Sequence, residues 1–168
     1  MIKFICIAVV IVAAYSAGIY FKASLARRLI ILRQLRLAIE KINLMIRYRG
    51  DTLHDIFTAL EADSRLDELT FIGKTLEKMN DKSFAESYTA AVSEFRPVGL
   101  KDSDREIILG IGAELGVSDT EGQISSLLLF DKELEALIAS AKSDVTKKSK
   151  LYSSLGLLSG VFAAILLI

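Results

Sequence analysis

Two uncharged apolar runs, one at each end of the chain, constrain the fold more than any other feature of this sequence. Phe4 to Phe21 is eighteen residues without a charge, and Leu151 to Ile168 is eighteen more. As α-helices each would be about 27 Å long, close to the roughly 30 Å hydrocarbon core of a bilayer. In that medium backbone groups must satisfy one another, which a helix does and an open loop does not. The reading is therefore a two-span chain, with transmembrane helices at 4–21 and 151–168. The 52% hydrophobic content is concentrated in these ends. The stretch between them, 23–150, is long enough for one compact helical core.

The charges are sorted along the chain. Residues 22–50 hold eight Lys/Arg against Glu40 alone, a net +7. Residues 51–139 hold eight Lys/Arg against nineteen Asp/Glu, a net −11. Residues 142–150 hold four Lys against Asp144, a net +3. Both apolar runs thus carry their positive flank on the side of the central region. The positive-inside rule places that region in the cytoplasm, with both termini across the membrane. The run Lys22, Arg27, Arg28, Arg33 and Arg36 resists translocation and argues against a cleaved leader. Anionic lipid headgroups are the partner these flanks suit, and no nucleic-acid motif accompanies them.

Gly156-x-x-x-Gly160-x-x-x-Ala164 lines one face of the second run with small residues, and Ala14-x-x-x-Gly18 stands in the first. Such a face lets another helix approach closely. It suits pairing within the chain or between copies in a homo-oligomer, although Gly and Ala are also simply common in membrane helices.

The centre reads as all helix. Pro97 is the only proline and tryptophan is absent. No breaker stands between the first run and Gly50, so one long helix is expected to stop there. Thr52 caps the next helix, with Leu53, Ile56, Phe57 and Leu60 at i, i+3, i+4 and i+7. A third helix is expected around 65–79. Ser83 with Glu86 forms a capping box for a fourth, which ends before Pro97. Asp102 and Asp104 suit the start of a fifth, closed by Gly116. Gly110 and Gly112 within it suggest close packing against a neighbour. Ser118 with Glu121 forms a second capping box. A final helix of about fifty residues then runs from there into the second apolar run, and the two long helices are expected to pair antiparallel.

Catalytic constellations are not apparent. Gly73-Lys74-Thr75 imitates the end of a phosphate loop, but Glu68 stands where that motif needs glycine. His54 is the only histidine and Cys6 the only cysteine, which leaves zinc without a ligand set. The reading is a non-enzyme with no cofactor and no metal. Asp67, Glu68, Asp102 and Asp104 are the acidic residues expected to present a docking face to a partner.

Leu115-Gly116-Val117-Ser118-Asp119-Thr120-Glu121-Gly122-Gln123 resembles the stage III sporulation protein AB family. The C-terminal Lys150-Leu151-Tyr152-Ser153-Ser154-Leu155-Gly156, followed by Gly160, strengthens the likeness, as does Arg33-Gln34-Leu35 opening a long helix after an apolar span. The family motif falls on Leu115, Gly116, Asp119, Gln123, Lys150, Tyr152, Leu155, Gly156 and Gly160, and Ser118 joins them as a structural residue. The family is similar to the inner-membrane platform proteins of type II secretion and type IV pilus machines. The resemblance implies a platform role in a secretion-like complex linking mother cell and forespore in endospore formation. It implies location in the mother-cell membrane, with a cytoplasmic secretion-type ATPase and other membrane proteins of that complex as partners. The alternative reading is a membrane-anchored helical adaptor without a secretion role.

Overall fold

A computed structural model describes the backbone of residues 2–116 and 119–167, and the side chains of residues 12, 13, 16–116 and 119–148. Every element among them is helical: α1 Ile2–Arg49, α2 Leu53–Glu61, a 3-10 turn Ser64–Leu66, α3 Phe71–Met79, α4 Phe84–Glu94, α5 Asp102–Glu114 and α6 Thr120–Leu167. The expected all-α class is what the chain adopts. α1 and α6 each run 48 residues without a break. The side chains of the apolar runs at 4–21 and 151–168 lie largely outside the described residues. Among the described residues no helix is long and apolar enough to cross a membrane.

The chain forms two compact units, Ile30–Ile138 and, separately, Met1–Leu29 with Ala139–Ile168. In the second of these, Ala141 and Arg28 are buried, and Lys148 pairs with Asp144 one turn away at 3.0 Å.

The Ile30–Ile138 unit holds the core as a helical bundle. α1 enters it with Ile31, Leu32, Leu35, Ala38, Ile39 and Ile42 buried, one stripe at helical spacing. Ile56, Phe57 and Leu60 of α2 meet it, at the i+3, i+4 and i+7 positions counted from Leu53. Aromatic rings fill the centre. Phe57 stands edge-on to Phe84 at 5.1 Å and to Tyr88 at 6.0 Å, and Phe71 does the same to Tyr88 at 5.7 Å and Phe95 at 5.2 Å. Edge-to-face pairs at these separations add about 0.5–1.5 kcal/mol beyond the area buried. The buried Tyr88 hydroxyl donates to the Ile108 carbonyl at 2.8 Å. Burial pushes its pKa well above the ordinary phenol range. A Cβ on Gly112 would run into the Tyr88 ring, and one on Gly110 would come within 3.1 Å of Phe130. The two glycines are therefore where the helix gives way to aromatic neighbours.

Helix ends follow local chemistry. The Asp55 N–H donates to Thr52 Oγ1 at 3.2 Å. Ser83 and Glu86 form the full reciprocal box. Gly50 closes α1 at φ +62° and Gly116 follows α5 at φ +81°, a region that L side chains rarely adopt.

One expectation needs correction. The helix expected over 65–79 is a 3-10 turn, a short link and then α3. Asp63 accepts from the Arg65 N–H at 3.0 Å and so starts a tight turn. Gln34 Oε1 on α1 then takes the Glu68 N–H at 2.9 Å, an amide that a continuous helix would have bonded to residue 64. α6 begins at Thr120, with Asp119 immediately before it. The Gly122 N–H donates to Asp119 Oδ1 at 3.3 Å. Ser118 itself lies outside the described residues.

Candidate functional site

Within Ile30–Ile138, α1 and α6 lie side by side. Arg36 donates to both carboxylate oxygens of Asp131, from Nε at 2.7 Å and from NH2 at 3.1 Å, and reaches Glu135 at 3.5 Å. The hydrogen bond to Asp131, seconded by the charges of Asp131, Glu135 and Glu40, holds the guanidinium above its ordinary range. Further along, Arg47 lines one cleft with Thr120 and Glu121. Numbers rising on α1 meet numbers falling on α6, so the two segments are antiparallel.

Two clefts open along their shared outer face. One, of about 520 Å³, is bounded by Arg33, Glu40 and Asn43 of α1 and by Leu128 and Asp131 of α6. The other, of about 360 Å³, lies between Arg47 and the Glu121, Ser125 and Leu128 side. Leu44 and Leu128 stand half exposed on this face, at 52% and 49%.

A second constellation joins α1 to the link before α3. Gln34 Nε2 donates to Asp67 Oδ1 at 2.7 Å while its Oε1 receives the Glu68 N–H. About two turns further on, Lys41 pairs with Asp63, which also receives Arg65 at 2.8 Å. The Arg65 hydrogen bonds first, and Lys41 next, hold the Asp63 carboxyl well below the ordinary carboxylate range.

The four acidic docking candidates fare differently. Asp67 is exposed and engaged by Gln34, and Glu68 beside it is half-buried. Asp102 stands at the start of α5 with its side chain 91% exposed, near Arg105 at 3.5 Å. Asp104 is fully buried and its Oδ2 accepts the Lys101 N–H at 3.0 Å. A carboxylate spent on closing a helix end is not presented to a partner, so Asp104 leaves the set.

Of the motif residues, Leu115 is buried. Gly116 stands where a Cβ would come within 3.1 Å of Leu53. The Gln123 N–H donates to the Asp119 carbonyl at 3.0 Å. The side chains of Lys150, Tyr152, Leu155, Gly156, Gly160 and Ala164 lie outside the described residues, as does that of Cys6. His54 is exposed, and Lys74 pairs with Glu94 at 3.2 Å on the surface. Among the described residues no three His, Cys, Asp or Glu side chains group as a metal site.

The residues that sequence reasoning missed are Gln34, Arg36 and Asp131, and the Lys41–Asp63–Arg65 set. A charged residue at core spacing is the signal that betrays Asp131, which stands between the buried Leu127 and Leu134 and demands a cation opposite.

A family model described as Stage III sporulation protein AB matches residues 3–168. The chain belongs to that family. Among curated proteins, the Stage III sporulation protein AB of Bacillus subtilis (strain 168) is 28% identical over 140 residues, 81% of each chain. No solved structure matches. Membership in the stage III sporulation protein AB family supports a role in sporulation.

Proposed function

We propose that the chain is a non-enzymatic platform component of a secretion-like complex between mother cell and forespore. Its apolar ends sit in the mother-cell membrane and the Ile30–Ile138 body stands in the cytoplasm. The observation that carries this reading is the continuity of α1 and α6. Each is one unbroken helix from an apolar run into the packed body, so the body is covalently continuous with segments suited to a bilayer. The basic flanks of both runs suit anionic headgroups on the cytoplasmic side. The acidic middle of the chain suits a separate protein partner, a cytoplasmic secretion-type ATPase. Other membrane proteins of the same complex would meet the small-residue face of Gly156, Gly160 and Ala164.

Topology tests it. Ser64 and Ser103 are exposed, and each is changed to Cys in the full chain carrying Cys6→Ser. A membrane-impermeant thiol reagent is expected to leave both unlabelled in intact cells and to label both after permeabilisation. Labelling from outside intact cells overturns the orientation. Release of the chain from membranes by alkaline carbonate overturns the anchoring.

A further inference from the structure

The outer face shared by α1 and α6 carries charge in a specific arrangement. On α1, Arg33 and Arg47 mark its two ends, fourteen residues apart, which is about 21 Å of helix. On α6, Glu135 and Glu121 mark the same two ends, also fourteen residues apart. The Arg36–Asp131 pair fixes the register, so Arg33 stands level with Glu135 and Arg47 level with Glu121. Between them lie the half-exposed Leu44 and Leu128. Arg33, Arg47 and Glu121 make no ion pair among the described residues. Apolar side chains at the centre with charges at the rim are what a helix-packing interface presents before it is covered.

We propose that this face seats a second copy of the same chain, docked about a two-fold axis parallel to α1 and α6. The sign of the charges chooses both the occupant and the axis. With the axis parallel to the helices, α1 of one copy meets α6 of the other at the same level. Arg33 then faces Glu135 of the partner, Arg47 faces Glu121 of the partner, and each pair occurs twice. With the axis turned across the helices, α1 meets α1 in reverse. Arg33 then faces Arg47 and Glu121 faces Glu135, and every rim contact is between like charges. A closed two-fold interface is self-complementary, and only the parallel arrangement makes it so here. The result is a four-helix core built from two copies. The inference stands on this face alone and does not depend on the platform reading.

Cross-linking in native membranes tests it. Two differently tagged full-length copies, both Cys6→Ser, are co-expressed. One carries Leu44→Cys and the other Ser125→Cys, positions that the parallel arrangement brings level. Oxidation is expected to give the mixed dimer, while the pair Arg33→Cys with Arg47→Cys gives none. Adding Arg33→Glu and Arg47→Glu to both reporter copies is expected to cut the yield at least fivefold. Adding Glu121→Arg and Glu135→Arg as well is expected to restore it, which separates lost docking from lost folding. Absence of the Leu44–Ser125 cross-link, cross-linking of the Arg33–Arg47 pair, or failure of the double swap to restore the yield each overturns the proposal. With no cross-link between copies, the face is left to a different protein.

Discussion

At the residue scale, two contacts of this protein are sharp enough to give signed predictions. Gly112 lies against the Tyr88 ring with no room for a methyl group. Gly112→Ala gains about 1 kcal/mol of helix propensity but forces an overpacked core, which costs about 1–3 kcal/mol. A net loss of stability is expected. Gly110→Ala meets only the edge of Phe130 at 3.1 Å and is expected to be near neutral. Thermal melts of the full chain in detergent separate the two. Asp63 supplies the pH dependence. Its carboxyl is held below the ordinary range by Arg65 and then Lys41, so the folded state favours the ionised form. That stabilisation is fully present above the unfolded pKa of about 4 and is lost as pH falls through it toward the lower folded value. Asp63→Asn removes this share, so stability is expected to fall less steeply below about pH 4 than in the unaltered chain. An unchanged slope on acid titration counts against the assignment. These contacts were only partly legible beforehand. Two glycines inside one helix announced a close neighbour without naming Tyr88. Asp63 announced nothing, because its partners lie across a turn and on a separate helix.

At the element scale, the bundle was readable wherever local chemistry and periodicity agreed. Thr52, Ser83 with Glu86, and Gly116 bound their helices as their types require. The reading broke at 65–79. The apolar spacing of Leu66, Leu69 and Ile72 fits a helix, but Gln34, thirty-four residues away, captures the Glu68 amide and ends the ladder. No window along the chain contains that competition. At the start of α6, the Asp119 carboxylate accepts the Gly122 N–H. Asp119→Ala is expected to cost about 1 kcal/mol through the lost cap. A melting curve unchanged by that substitution removes the assignment. Gln34→Leu keeps the size of the side chain and deletes both of its hydrogen bonds. It strands the Glu68 N–H and should cost about 1–3 kcal/mol, read as faster hydrogen exchange at that amide.

At the scale of the whole molecule, the acidic centre separates into carboxylates that hold the fold and carboxylates that face outward. Asp67 and Asp102 are exposed, whereas Asp104 closes α5 from within. If the outward set docks a cytoplasmic ATPase, Asp67→Lys with Asp102→Lys slows association and flattens its salt dependence, and helical content stays constant. Asp104→Asn is expected to lower stability at unchanged charge on the docking face. Binding of the full chain in nanodiscs across a salt series reads the first, and circular dichroism melts read the second. Salt-independent binding would remove the acidic face from the docking reading. Net charge alone did not reveal this division, because burial is a property of the assembled bundle and not of the local run.

The side-chain amide of Gln34 donates to a carboxylate on one edge and accepts from a backbone N–H on the other. In the genetic code, glutamine codons are one base from those for Glu, Lys, Arg, His, Leu and Pro. Glu turns the donating edge into a second carboxylate facing Asp67. Lys and Arg lose the acceptor, and Leu and Pro lose both edges. Histidine keeps a donor and an acceptor on a shorter, differently angled ring. No single-base change at this codon therefore yields another side chain with the same pair of poles at the same reach, and the position is brittle to point mutation.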